Sequence, residues 1–445
     1  PLAIREVIQA PGNPESMARL LAQLASCRGA VAEAHGHLDE SGVSTDLAFR
    51  MDLLEIKLGR IQTLLDYHRG QKPGLQLAAE MVEGSAKQHR LLPLLQASLR
   101  RLALKVVEHT GHTGEHYLVR DSREYWVMAR AAAGGGALTA FTTLLKFILG
   151  GLGLAPGLYG LAGTVNYAGS FITMQFLHFS LASKQPAATA AALSATLERS
   201  DGMEQEVDLI ATITRGQVVA TLGNLLLAVP MALVVDGCWR VATGHSFLNQ
   251  ETAMQTLESL HPFRSWTPLF ASITGVILWM GSLAGGWASN WSAFRGLPEA
   301  VAQSLRFHRL FGIRRAESLG KALDTHFPGV VACLALGLLL AFVPVISDFV
   351  GLPVEVRHVT LSAASAAFAM GSGLGTGAIP WVALFWAMVG VLFIGFLNFS
   401  VSFALSLRLA IQARNLPAGG RRELLKALLT VFIHNPGRFL LPPKK

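Results

Sequence analysis

The density of charged residues falls abruptly at Ala131. The first 130 residues carry 16 Lys or Arg and 15 Asp or Glu, whereas residues 131–182 carry a single charge, Lys146. Hydrocarbon excludes charged side chains strongly, so a charge-free stretch of this length indicates membrane-spanning segments. We therefore expect an all-α, polytopic α-helical membrane protein with a charged helical region over 1–130, a transmembrane domain over 131–410 and a basic tail over 411–445.

Six segments within the transmembrane domain are apolar and close to the roughly 20 residues that a helix needs to cross a bilayer. They cover residues 131–153, 158–181, 217–235, 267–287, 328–347 and 382–405. A seventh segment, 359–380, is rich in Ala, Ser and Gly and ends in the glycine repeat Gly371–Gly377. It holds little of the Leu, Ile and Phe that drive membrane insertion.

The distribution of Lys and Arg predicts the orientation. With six spans and both termini cytoplasmic, 33 Lys or Arg lie in cytoplasmic segments and three, Arg240, Arg264 and Arg357, lie outside. If segment 359–380 also crossed, the counts would become 25 and 11. Cytoplasmic segments are enriched in Lys and Arg, so we expect six spans and a re-entrant element near 359–380 in a bacterial inner membrane.

The N-terminal region has the pattern of a cytoplasmic helical bundle. Asn13-Pro14-Glu15 is a helix start, and Thr45-Asp46 can cap a second helix. The second helix carries a heptad seam of about three heptads, for which a protruding coiled coil is the alternative to a bundle. Its apolar residues are Leu47, Met51, Leu54, Leu58, Ile61 and Leu65. The chain opens with Pro1 rather than Met, so we expect it to begin inside a longer protein.

A histidine-rich segment precedes the first span. His112, Glu115 and His116 follow the order of the inverted zinc-protease motif, and zinc bound there would make a metal-dependent hydrolase. Two Thr-Gly pairs beside these residues instead favour a polar turn, and no distant third carboxylate ligand is evident. We therefore expect no cofactor, with zinc at this segment as the alternative.

Polar residues inside the predicted spans are candidates for the lining of a cavity: Asn166, Gln175, His178 and Asn398. Asn166, Gln175 and His178 belong to one predicted span and are separated by nine and three positions. Neutral amides in spans also form interhelical hydrogen bonds, which is the structural alternative. Lys146 is the single charge in its span and can either face a cavity or extend to the outer interface.

Several stretches resemble a bacterial family described as site-specific recombinase, and together they cover most of residues 100–443. They are Thr113–Tyr117, Arg130–Gly136, Asn166–Tyr167 with Met174–Gln175, Ala182–Pro186, Val356–Ser362 and Phe439–Pro443. The resemblance implies DNA strand exchange and assigns no catalytic residue to a position of this chain.

Strand exchange by a tyrosine recombinase requires an H-x-x-R motif and a nucleophilic tyrosine after it. His261-Pro-Phe-Arg264 matches the short motif, but all five tyrosines precede it. The predicted topology also places this loop away from cytoplasmic DNA. Basic residues of the cytoplasmic segment 288–327 can contact nucleic acid, but anionic lipid headgroups are the simpler partner.

The residues therefore favour transport or lipid handling through a membrane cavity, with membrane lipids and a small-molecule or lipid substrate as partners. A membrane-tethered scaffold is the first alternative, with a protein partner or a second copy of the chain bound through the N-terminal helices. An enzyme is less favoured, whether a recombinase or a metal-dependent hydrolase.

Overall fold

The computed structural model describes residues 13–41, 45–70, 119–180, 203–376, 379–414 and 430–442. Every regular element in these residues is a helix, as the sequence predicts. The helices are α1 Pro14–Ser41, α2 Thr45–His68, α3 Ser122–Gly151, α4 Pro156–Phe176, α5 Met203–Thr243, α6 Gln250–Ser259, α7 Thr267–Arg295, α8 Leu297–Ala302, α9 Leu305–Phe311, α10 Ile313–Val350, α11 Val359–Thr376, α12 Trp381–Arg414 and α13 Gly437–Leu440.

The chain divides into two units, which we describe separately. Unit 1 contains the described parts of Pro1–Lys105 together with Asn290–Leu323, and unit 2 contains those of Val106–Ser289 and Asp324–Lys445. In unit 1 the side chain of Asn13 caps α1 by accepting from the N–H of Glu15 at 3.0 Å. Helices α1 and α2 pack through a cluster of Leu20, Leu24, Val31, Leu58 and Leu65. Three residues separate these helices, so the pair is antiparallel.

The change in charge at Ala131 lies inside a helix. Helix α3 begins at Ser122, where the carboxylate of Asp121 accepts from the N–H of Glu124 at 2.7 Å, and it continues to Gly151. Its first turns are polar and the rest is apolar. The compositional boundary therefore marks a change of environment along one helix, with no break in the backbone.

Five helices in the described residues are long and apolar enough to cross a membrane: Ser122–Gly151, Val207–Thr243, Thr267–Arg295, Ile313–Val350 and Trp381–Leu409. They coincide with five of the six expected spans. The sixth, 158–181, corresponds to α4, which has 21 residues and is not one of the five. Helix α4 ends at Phe176, and His178 follows in a turn with φ +56°.

The helix ends of unit 2 gather at two opposite ends. We call one the α6 end, because α6 lies there between α5 and α7. Phe147 near the end of α3 packs on Phe247 after α5, with ring centroids 6.2 Å apart. The start of α4 meets the end of α10 at Gly160 and Phe342, and the start of α12 approaches the carbonyl of Leu260 after α6.

Residues 351–376 run from this end into the interior of unit 2 and back toward the same end. Helix α10 ends at Val350, and the chain then runs inward without helical structure over 352–358. At its deepest point the N–H of Val359 donates to Oδ1 of Asn398 at 3.2 Å. Asn398 lies 17 positions beyond the start of α12, about 26 Å along the axis. Helix α11 then returns toward the α6 end, where Arg240 of α5 donates to the carbonyl of Gly371.

Helix α11 includes the first part of the glycine repeat, up to Thr376, and the non-helical backbone of residues 352–358 precedes the helix. Small residues let this helix lie inside the bundle: its buried side chains include Ala363, Ala364, Ala367 and Phe368, all at most 2% exposed. Close packing of backbones is the usual use of small residues between membrane helices.

Much of the outer surface of unit 2 is apolar. Large side chains on α4, α5 and α12 are exposed, with Val165 at 74%, Leu226 at 73% and Phe396 at 63%. The interior holds alanine, glycine and hydrogen-bonded Asn, Ser and Thr beside large apolar side chains such as Phe171 and Leu278. Exposed apolar area of this kind marks a surface that contacts lipid or another protein, and the small interior residues are typical of helix packing in a bilayer.

Helices α3 and α5 approach most closely at Gly136, where a β-carbon would overlap the carbonyl of Asn224. We expect Gly136→Ala to lower the free energy of unfolding by about 1–3 kcal/mol, because the backbones must separate. Gly169→Ala in α4 is the matched control, since nothing lies within 4 Å of the place that its β-carbon would take. The control should be neutral or stabilising by up to about 1 kcal/mol. Unfolding of each purified variant in mixed micelles measures the change in the free energy of unfolding. Equal changes for Gly136→Ala and Gly169→Ala would contradict the close approach of α3 and α5 at Gly136.

Candidate functional site

Unit 2 contains a cavity of about 390 Å³. Its size lies within the range of small-molecule sites, about 300–1,000 Å³. Its walls come from α3, α4, α6, α10, the start of α11 and the non-helical segment 352–358. The lining includes Lys146, Tyr159, Asn166, Thr252, Gln255, Thr256, Ser259, Leu340, Pro344, Glu355, Val356, Arg357, Leu361, Ser362 and Ser365. Because α6 contributes four of these residues, the cavity is located at the α6 end.

Two cations and one carboxylate line this cavity. Lys146 comes from the last turns of α3, and Glu355 and Arg357 come from the non-helical segment. The three side chains line one cavity although Lys146 is distant from the other two in the chain. Within the described residues Lys146 forms no ion pair, so the three groups leave a net charge of +1.

The backbone around Arg357 is held by two polar side chains of neighbouring helices. Its N–H donates to Oγ1 of Thr274 at 2.8 Å, and its carbonyl accepts from Nδ2 of Asn398 at 3.0 Å. Oδ1 of Asn398 accepts from the N–H of Val359. Irregular backbone in an apolar interior must find such partners, since no water replaces them. The position of Arg357 is therefore determined by contacts of its main chain.

The side chain of Arg357 is 11% exposed. One of its terminal nitrogens, Nη2, contacts Oε2 of Glu355 at 2.5 Å, and the glutamate side chain is 57% exposed. The Nε of Arg357 is buried and has no hydrogen-bond partner among the described residues. This guanidinium thus retains donor capacity beside the cavity.

Three hydroxyl groups in the cavity wall donate to carbonyls of their own helices. Thr256 donates to the carbonyl of Thr252 at 2.7 Å, Ser259 to that of Thr256 at 2.8 Å, and Ser365 to that of Leu361 at 2.8 Å. Their oxygen lone pairs can still accept a hydrogen bond. These three side chains therefore offer a ligand acceptors, whereas Lys146 and Arg357 offer donors.

The structure separates the four residues expected to line a cavity. Asn166 lies in the cavity wall and donates to the carbonyl of Thr142 at 2.9 Å. Gln175 joins helices, since its Nε2 donates to the carbonyl of His326 at 3.2 Å. Asn398 supports the segment that carries Arg357. His178 is exposed and lies beyond the end of α4 at Phe176, so it does not line the cavity.

The other sequence candidates lie elsewhere. His112, Glu115 and His116 are outside the described residues, and no group of three or more metal-binding side chains occurs within them. The H-x-x-R segment forms the connection between α6 and α7. There Nδ1 of His261 lies 3.1 Å from the N–H of Arg264, and the imidazole stacks on Trp386 with centroids 5.1 Å apart. This histidine thus orders a turn at the α6 end.

The sequence did not predict Glu355 or Arg357 as site residues. Arg357 entered only the count of Lys and Arg for topology and the stretch Val356–Ser362 that resembles the family. No sequence periodicity connects these two residues with Lys146, which precedes them by more than 200 positions. The sequence feature that could have indicated this site is a polar, Pro-containing segment followed by a weakly apolar helix. That combination indicates irregular backbone at membrane depth, where charged side chains are commonly functional.

A family model described as "Site-specific recombinase" matches residues 4–442. The chain belongs to this family. The match includes the described helices of both units and nearly the whole sequence. No curated protein and no solved structure gives a significant match to the chain. The family description concerns the chain as a whole, and the match assigns no role to individual residues.

The two buried asparagines Asn398 and Asn166 should differ in their contribution to stability. Asn398→Leu leaves the carbonyl of Arg357 and the N–H of Val359 without their partner, which costs about 1–3 kcal/mol for each group. Asn166→Leu removes one donor to a carbonyl within α3 and should cost about 1 kcal/mol. Unfolding in mixed micelles measures the free energy of unfolding of both variants. A larger decrease for Asn166→Leu than for Asn398→Leu would contradict this ranking.

Proposed function

We propose that this protein resides in the bacterial inner membrane, spans it several times, and moves or handles a small solute or lipid through the cavity of unit 2. The observation that carries the proposal is the path of residues 351–380. Their irregular backbone reaches the interior of an apolar bundle and places charged side chains against a cavity. Irregular backbone at membrane depth is tolerated where it is buried in protein or lines a water-filled space.

The positive-inside rule supports an orientation in which both termini are cytoplasmic and the α6 end faces outward. Arg240, Arg264 and Arg357 are the cations assigned to that side by the count of Lys and Arg, and all three belong to segments at or entering the α6 end. The cavity would then open toward the extracytoplasmic side, and residues 351–380 would form the re-entrant element.

DNA strand exchange is the function that the family description names. The motif chemistry does not favour it for this chain, because every tyrosine precedes His261 and this histidine stacks on Trp386 in a helix connection. A strand-exchange assay with purified protein tests the alternative directly. We expect no recombined product.

Access of water to the cavity can be measured by cysteine labelling. The three native cysteines, Cys27, Cys238 and Cys333, are first replaced by serine. In that background Thr256→Cys and Ser362→Cys should react with a membrane-impermeant sulfonated thiol reagent added from the extracytoplasmic side. Val165→Cys, on the exposed apolar surface of α4, is the control and should react slowly because lipid covers it. Equal protection of all three positions would exclude a water-filled cavity.

Movement of lipid is tested in proteoliposomes with a fluorescent phosphatidylglycerol whose outer-leaflet fraction is bleached by dithionite. Wild-type protein should expose the inner-leaflet probe faster than protein-free vesicles. Thr256→Trp should abolish the acceleration by filling the cavity, whereas Glu258→Trp, on an exposed part of α6 outside the cavity wall, should preserve it. If wild-type protein has no effect, lipid exchange is excluded and transport of a soluble substrate remains as the proposal.

A further inference from the structure

We infer that the cavity binds an oxyanion, a phosphate or carboxylate group, between Lys146 and Arg357, and that Glu355 competes with this ligand for Arg357. This inference rests on the proposed function and specifies the chemistry of the ligand. The supporting observations are the placement of the three charged groups, the hydrogen bonding of the wall and the distribution of apolar residues.

The charges favour an anion. Lys146 and Arg357 face the cavity, and Glu355 is the one carboxylate among its lining residues. Taking a cation out of water is costly unless a counter-charge accompanies it, so an excess of one positive charge beside an apolar wall favours an anionic ligand. A guanidinium suits oxyanions in particular, because its N–H groups can donate to two oxygens at once.

The hydrogen-bonding groups of the cavity wall also favour an anionic ligand. Thr256, Ser259 and Ser365 donate to carbonyls of their own helices, so they offer a ligand acceptors rather than donors. The buried Nε of Arg357 lacks a partner among the described residues. A ligand that supplies acceptor oxygens therefore satisfies the free donor capacity at this site, whereas a cationic ligand would leave it unmet.

Glu355 has the position of a competitor. It contacts Nη2 of Arg357, and its own side chain is more than half exposed whereas that of Arg357 is 11% exposed, so water reaches the carboxylate but hardly the guanidinium. An oxyanion inside the cavity can therefore take the place of Glu355 on the guanidinium, and the freed carboxylate returns to water.

The apolar part of the wall adjoins these charges. Phe147, Leu340, Val356 and Leu361 line the same cavity. An oxyanion attached to an apolar group would use both surfaces, as in the headgroup region of an anionic lipid. Free phosphate has the same anionic chemistry without the apolar group, so the two sources can be distinguished experimentally.

The test uses full-length protein in micelles and native mass spectrometry. The probes are inorganic phosphate, dihexanoyl phosphatidylglycerol and, as the zwitterionic comparison, dihexanoyl phosphatidylcholine. Lys146→Met and Arg357→Met should each weaken binding of the anionic probe about tenfold, the loss expected for one hydrogen bond to a charged group. Arg264→Met removes an exposed cation at the α6 end outside the cavity and should leave binding unchanged.

Glu355→Gln should change the affinity for the anionic probe in the opposite direction. Removing the competing carboxylate should tighten binding of the anionic probe severalfold, which a purely structural role of Glu355 would not produce. Because this side chain is exposed, the variant is expected to fold. Arg357→Lys retains the positive charge and should recover part of the affinity lost in Arg357→Met.

Binding of phosphatidylglycerol but not phosphate assigns the site to a lipid headgroup, and binding of phosphate alone assigns it to a soluble oxyanion. Both results support the inference. Equal affinity for phosphatidylglycerol and phosphatidylcholine, together with no effect of Lys146→Met and Glu355→Gln, overturns it. Cysteine labelling at Thr256 and Ser362 is independent of ligand charge, so a water-filled cavity that shows no anion preference would refute this inference and leave the proposed function standing.

Discussion

Backbone that leaves a helix inside an apolar bundle needs hydrogen-bond partners from the protein, and at the inner end of segment 352–358 Asn398 provides them together with Thr274. The amide of Asn398 accepts from the N–H of Val359 and donates to the carbonyls of Arg357 and Ala271. The non-helical segment, the start of α11 and the charged side chains at the cavity all depend on this support. A buried backbone group without such a partner would cost several kcal/mol in hydrocarbon.

Asn224 has a related role nearer the other end of the unit. It donates to the carbonyl of Ser180 at 2.9 Å and to that of Ala132, so that α5 is joined to α3 and to the residues after α4. Close approach of α3 and α5 at Gly136 makes this possible. Small residues and buried amides therefore act together. The small residues allow two helix backbones to approach each other, and the side-chain amides donate to backbone carbonyls of the neighbouring helix.

The family description and the site chemistry point to different activities. Membership of the family follows from a match over residues 4–442, but the residues that a tyrosine recombinase requires do not occur in the required order. The cavity contains cations, hydrogen-bonded hydroxyl groups and apolar side chains, a combination suited to an amphiphilic or anionic ligand. Function is therefore better argued from this site than from the name of the family.

The sequence by itself determined the helical class, the N-terminal helix starts and five of the long apolar helices, because caps and hydrophobic runs act over a few neighbouring residues. It also indicated that segment 359–380 was unlike the other spans. Only the tertiary structure decided that the irregular backbone precedes α11, that α4 ends before His178, and that Asn398 supports a segment instead of lining the cavity. It alone brought Lys146 beside Arg357 and Glu355. Contacts between positions so distant in the chain arise from helix packing, and a local pattern holds no information about them.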